Sequence, residues 1–173
     1  NPLPLETSLH VDFKKAEDFD VKAQNPNHKS AIVNVMRVVP NTIITKKGNA
    51  KLTVDKGTII PSVFEDILKI SVVERYGSNT ISNAFINGFG IKNGAIASSV
   101  SHDSHNIIVV GTNSEYMAEA TNKIIKNKGG LVAISNQEEL ELALPIAGLM
   151  SDKPVNEVAK TSTQLNELVN RMG

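Results

Sequence analysis

The sequence predicts a mixed α/β (α+β) fold: a mixed β-sheet domain over residues 31–173 with about three helices, preceded by an extended arm or linker over residues 1–30. Three observations predict it. Short runs rich in Ile and Val recur between residues 31 and 135, the pattern of buried strands. A strand, an amphipathic helix and a second strand succeed one another from Ile107 to Ser135, as a crossover between parallel strands requires. The stretch after Pro154 carries an apolar stripe at helical spacing and ends the chain on a helix.

The arm contains Pro2, Pro4 and Asn25-Pro26-Asn27, which favour extended backbone and a turn. It is expected to pack on the surface, with a short strand near 9–13, and its His10 and His28 read as solvated. Residues 31–39 are β-branched and stop at Pro40, and 42–45 resume the pattern. Residues 52–54 and 58–60 flank Asp55-Lys56-Gly57 and read as a small hairpin. Residues 67–75, ILKISVVER, form a stronger buried strand with Glu74 and Arg75 as an exposed ion pair at its end. Ile81, Ala84, Phe85 and Gly88 recur at helical spacing, so a helix is expected over 78–88, capped by Ser78, Asn79 or Thr80. Gly88, Gly90 and Gly94 lack the GxGxxG spacing of a nucleotide loop and read as turns needing positive φ.

Thr112 and Glu115 have the spacing of a capping box. The helix that follows buries Met117, Ala118, Thr121, Ile124 and Ile125, with Lys123, Lys126 and Lys128 towards its C-terminus and Gly129 closing it. Residues 131–135 form the next strand. In EELELALP the leucines alternate with Glu139 and Glu141, a half-exposed strand that stops at Pro145. The last helix has Pro154 in its first turn and a stripe of Val155, Val158, Ala159, Leu165, Leu168, Val169 and Met172. About eight strands and three helices result.

The 173 residues carry 18 basic and 18 acidic side chains, so charge argues against nucleic acid or an anionic membrane as partner. There is no cysteine, which excludes a disulfide framework and thiolate chemistry. No apolar run approaches a membrane span, and prolines interrupt the N-terminal leucines, so no signal peptide is expected and a cytoplasmic location is. A first residue that is Asn rather than Met fits a piece of a longer chain.

Between two strand-like runs, 95–100 and 107–110, lies the hexapeptide Ser101-His102-Asp103-Ser104-His105-Asn106, with two of the four histidines. A loop held at both ends by buried strands can aim its side chains. Four readings are open. His102, Asp103 and His105 are ligand types for zinc, manganese or iron, but a tight site needs further ligands. Ser99, Ser101 or Ser104 could be a nucleophile beside a histidine base, although neighbouring His102 and Asp103 point apart on extended backbone. Ser, Asp and Asn also serve turns for backbone reasons alone. Finally, the loop can contribute to a site that another segment completes.

The strings DILKISVVERYG, GFGIKNGAIASSVSHDSHNIIVVGTNSEYMAEATNKI, GGLVAI and LPIAGLMSD closely resemble the C-terminal region of microbial adenine deaminases, members of the metal-dependent amidohydrolase superfamily. The likeness runs from about Val33 to the end and is densest between Asp66 and Asp152. Tyr76 stands where the family's ERH places histidine, and Thr80-Ile81-Ser82 replaces a glycine-richer TGNIG. The resemblance implies a parent enzyme of purine salvage that hydrolyses adenine to hypoxanthine and ammonia. It implies a (β/α)8 barrel holding one or two divalent metals, manganese or iron, which activate water for attack on the ring carbon. This sequence has no His-x-His pair and is shorter than the ~250 residues of such a barrel, so it is not expected to be a TIM barrel. No cofactor and no catalytic residue is expected within this chain, which is expected to be inactive alone. It would instead dock on the barrel of the same polypeptide, completing or covering the active site with residues 101–106 and, secondarily, Glu74 and Ser99. Homo-oligomerisation is also expected. The alternatives are a stand-alone purine- or metal-binding module and a purely structural or oligomerisation domain.

Overall fold

In the computed structural model, which describes residues 8–173, the strand with the densest apolar pattern lies at the middle of one sheet. The chain forms β1 (Ser30–Val38), β2 (Thr45–Asp55), β3 (Thr58–Ile59), β4 (Ile67–Val73), β5 (Ile81–Asn87), β6 (Ala95–Ser98), β7 (Ile107–Gly111), α1 (Ser114–Lys126), β8 (Gly130–Ile134), β9 (Glu139–Ala143) and α2 (Val155–Met172). The spatial order is β3-β2-β1-β5-β4-β7-β6-β8-β9. Neighbours are antiparallel except β1 and β5, which run parallel. β4 is central because five of its seven residues are buried and both its edges are paired.

The mixed α+β class stands, with nine strands and two α-helices among the described residues. The expected helix over 78–88 is instead β5, antiparallel to β4 from Val73↔Ile81 to Ile67↔Asn87. Ile81 and Phe85 are four apart, which suits one face of a strand as well as one face of a helix, and β4 offers an open edge to pair. β2 starts at Thr45 and runs through Lys46, Lys47 and Gly48, longer than its apolar pattern suggests. The hairpin is present, with Lys56 and Gly57 both at positive φ, the backbone that suits strand twist.

β7 and β8 are parallel, but they are not neighbours. β6 lies between them, antiparallel to both, with Ser98 opposite Ile108 on one side and Leu131 on the other. The crossover through α1 therefore spans a strand position that β6 already fills. Asn113, not Thr112, caps α1, accepting the Tyr116 N–H at 2.8 Å. Thr112 Oγ1 is engaged with Gly94, accepting its N–H at 3.1 Å. Pro154 stands at the N-cap of α2 rather than inside its first turn, and Val155 and Ala159 are exposed.

Alternate residues of the central strands face opposite layers. Val73, Ala95, Ala97, Ile107 and Val109 pack against Met117, Ala120 and Ile124 of α1. Leu68, Ile86, Val110, Ala133 and Leu142 share the other layer with Leu165, Leu168 and Met172 of α2. The arm goes deeper than a surface tether. No strand forms over 9–13; Leu9 and Phe19 enter the α1-side core, and a 3₁₀ turn, Ala16–Phe19, carries Phe19 there. The first seven residues of the expected arm lie outside the described residues. His10 and His28 are exposed. Among the described residues no helix is long and apolar enough to cross a membrane.

Candidate functional site

β4, β6 and β9 end, and β7 and β8 begin, at the same end of the sheet. Three connections meet there: 74–80, 99–106 and 144–154. Each leaves a strand whose register is fixed by apolar burial, so the loops are anchored at both ends.

Arg75 ties them together. The exposed ion pair expected with Glu74 is not formed; Arg75 is 1% exposed. Its Nη1 donates to the His105 carbonyl at 2.9 Å and its Nη2 to the Ala147 carbonyl at 2.6 Å. Nε donates to the Ser8 carbonyl at 3.4 Å, and Nη2 also donates to the Ser8 hydroxyl. A guanidinium suits this role because its donors form a rigid planar fork. Burial pushes its pKa down. Gly148 leaves it room: a Cβ there would lie 2.8 Å from Nη1, and the residue's φ of +71° already favours glycine.

Glu74 faces solvent and braces its own turn. Its carboxylate accepts from the Tyr76 N–H at 2.6 Å and from the Ser78 N–H and hydroxyl, each at 2.7 Å. The Ser78 hydroxyl foremost, with backbone N–H groups, holds its pKa below 4.5 against a smaller effect of burial. Tyr76 extends the bracing to the hexapeptide, since its hydroxyl donates to the Ser104 carbonyl at 2.5 Å. Its ring also lies under the Arg75 guanidinium, 5.5 Å from centroid to carbon.

Ser99 is buried and fully engaged. Its hydroxyl donates to the Gly148 carbonyl at 2.6 Å and accepts the Gly130 N–H at 2.8 Å. That makes it a pin between β6, β8 and the 144–154 connection, closed to substrate. Ser101 closes the hexapeptide from within by donating to the Asn106 carbonyl at 2.7 Å. Asn106 Oδ1 accepts the Arg75 N–H at 3.4 Å.

His102 and Asp103 do not point apart. The backbone turns here, with Asp103 at φ +61°, and His102 Nδ1 comes within 3.1 Å of Asp103 Oδ1. The two side chains are 94% and 88% exposed. His105 faces the other way: its Nδ1 is buried and has no hydrogen-bond partner among the described residues. The three candidate ligands thus do not converge. Among the described residues no group of three or more His, Cys, Asp or Glu side chains is placed to hold a metal ion. Ser104 is exposed. What the arrangement presents is a rigid backbone with one imidazole–carboxylate couple displayed outward.

Sequence reasoning missed Arg75 and Tyr76 as organisers of this end. No local pattern reveals them, because their partners lie 28 to 72 positions away. Two strings of the resemblance do meet here, through Ser99 and Gly148.

A family model described as the adenine deaminase C-terminal domain matches residues 42–173. The whole chain is 72% identical to part of an adenine deaminase from Methanosphaera stadtmanae, of which it covers 32%. It is 46% identical over 170 residues to one from Borreliella afzelii, and 44% over 165 residues to one from Methanothermobacter thermautotrophicus. In each of these two pairs the match takes in 95% of this chain and 30% of the relative. The chain therefore spans about a third of the length of the curated relatives it matches. A likeness this high, over a family model this long, leaves one conclusion: the chain belongs to the adenine deaminase C-terminal domain family.

Proposed function

We propose that this chain serves an adenine deaminase as its non-catalytic C-terminal domain, bringing the 101–106 loop against a separate catalytic barrel. The parent reaction in this reading is hydrolysis of adenine to hypoxanthine and ammonia, in cytoplasmic purine salvage, by a homo-oligomeric enzyme. Manganese or iron would belong to the barrel. Among the described residues His105 turns inward while His102 and Asp103 turn out, which supports placing the metal there rather than on this loop.

One observation carries the reading. The exposed His102–Asp103 couple stands on a loop whose backbone is held by Arg75 at His105, by Tyr76 at Ser104 and by Ser101 at Asn106. A turn needing only to join β6 to β7 requires no such bracing of its carbonyls. Fixed polar groups facing outward are preorganised for a partner surface, where they can order a proton-transfer group or exclude water.

Kinetics of the full-length enzyme test this. His102→Ala is expected to lower kcat/KM by roughly a hundredfold, the low end of what a positioned acid–base group contributes. Wild-type kcat and KM in that variant would remove the loop from the active site.

A further inference from the structure

The α2-side face of the sheet is only half covered. α2 packs chiefly on β8 and β9. Beyond it Ile70, Ile96 and Ile108 are half-buried, and Val72, with Phe89 and Val100 near the rim, is more than a third exposed. All of these but Val72, which pairs with Ile108 at the groove's margin, line an apolar groove of about 350 Å³ that reaches Ser101 and His102 at one end. No Asp, Glu, Lys or Arg lines it. The uncharged face continues over β1 through Met36 and the polar Asn34 to Ile32, 78% exposed, and stops at Lys47 and Lys51, which stand opposite Met36 and Ile32 on β2. An uncharged patch spanning several strands and bounded by lysines is built to be covered.

We propose that this face is the seat of the polypeptide that precedes the domain in the longer adenine deaminases, whose apolar side chains fill the groove and bring His102 to their surface. The proposal rests on the functional reading above and adds to it which face docks. Three observations select this occupant. The relatives devote about two thirds of their length to something other than this domain, and that part lies ahead of a C-terminal domain. Arg75 holds Ser8 at the sheet end that carries the 101–106 loop, so whatever precedes Ser8 is attached beside the groove's polar end. The opposite face of the same strands is already occupied by α1 and the arm.

The test is photo-crosslinking in the full-length enzyme, with p-benzoylphenylalanine at Phe89, a conservative aromatic exchange, and separately at Val72. Glu119, exposed on α1, is the control position. The expected result is a crosslink within one chain, from Phe89 and Val72 to peptides ahead of the domain, with none from Glu119. A crosslink joining two copies through Phe89 or Val72 would assign the face to self-association and overturn the proposal. So would the absence of any crosslink in an active, folded preparation. The readout is independent of His102 kinetics. An intrachain crosslink with an inert His102 would keep the seat and remove the loop's role; the reverse pair of results would do the opposite.

Discussion

On β7, Ile107 and Val109 point towards α1 and have no exposed surface, while Ile108 between them points to the other side and stays half exposed. β4 repeats the contrast, with Val73 buried under α1 and the arm and Val72 open. The same β-branched chemistry thus meets two environments one residue apart. On the α1 side burial is finished within the domain, and the buried Lys69 and Ser114 there are hydrogen-bonded to each other. On the α2 side apolar surface is left where no element of the described chain reaches it. Strand propensity cannot distinguish the faces, because β-branched side chains favour a pleated backbone on either side. The difference teaches that the open face was selected for more than the folding of these residues.

The sharpest way to break that contrast is a pair of truncations on one strand. Ile107→Ala in the 173-residue chain should cost about 3–4 kcal/mol, as expected for a cavity under a packed helix. Ile108→Ala, losing only half-exposed surface, should cost less than about 1 kcal/mol. Urea unfolding of both variants measures the ratio. Equal losses would mean that the α2-side face is as well packed as the other, and the contrast would fall.

Arg75 sits where the two faces run out, and it sets the geometry of the loop rather than of either core. Arg75→Met removes the donors to His105, Ala147 and Ser8 and should destabilise by about 2–3 kcal/mol, in the range for charge-assisted bonds whose buried acceptors lose their partner. Arg75→Lys keeps the charge without the fork and should recover about half of that. Unfolding midpoints report the stability, and protease cleavage near residue 103 reports whether the loop loosens. A loop as resistant in Arg75→Met as in wild type would show that Tyr76 and Ser101 suffice.

How much of this could be read in advance follows the range of the interactions. β1, β4, β6 to β9, α1 and α2 were legible because each rests on periodicity within its own residues. β5 was not: ISNAFIN is short enough to satisfy both a helical and a strand spacing, and only the open edge of β4 decides. β2 was longer than expected because Lys46, Lys47 and Asn49 are exposed and leave no apolar trace. At the candidate site the hexapeptide itself stood out by its histidines. Its bracing did not, since Arg75 looked like a strand-end charge until Ser8, His105 and Ala147 converged on it from distant parts of the chain. The inward turn of His105 and the outward turn of His102 depend on positive φ at 103 and 105, which non-glycine residues give no warning of.

The smallest expected effect concerns an ammonium buried on the finished face, that of Lys69. Lys69 Nζ donates to Ser114 Oγ at 2.5 Å and lies 3.4 Å from Asp20 Oδ1, which in turn accepts from the Ser114 hydroxyl at 2.8 Å. Burial pushes the Lys69 pKa below 10.5 and outweighs the attraction of Asp20 and Glu115. Burial pushes Asp20 up, but hydrogen bonds from Lys22 and Ser114 and the charges of Lys69 and Lys22 prevail, leaving it below 3.8. The two residues therefore act at opposite ends of the pH scale. In the alkaline range below 10.5 the unfolded chain holds the Lys69 proton more tightly than the fold does, so stability should rise with pH there. In acid, the Asp20 contribution is present above its unfolded value and is lost as pH falls through its lower folded value. Lys69→Met leaves Asp20 its bond to Lys22 at 2.8 Å, so the change at neutral pH should stay within about 1 kcal/mol of wild type. The variant should lack the alkaline rise and lose less stability in acid. Urea midpoints of the two proteins, compared from pH 3 to pH 10, read the difference. Parallel profiles across the whole range would mean that Lys69 titrates in the fold as it does in the unfolded chain, and that the closed face tolerates a charge at no cost.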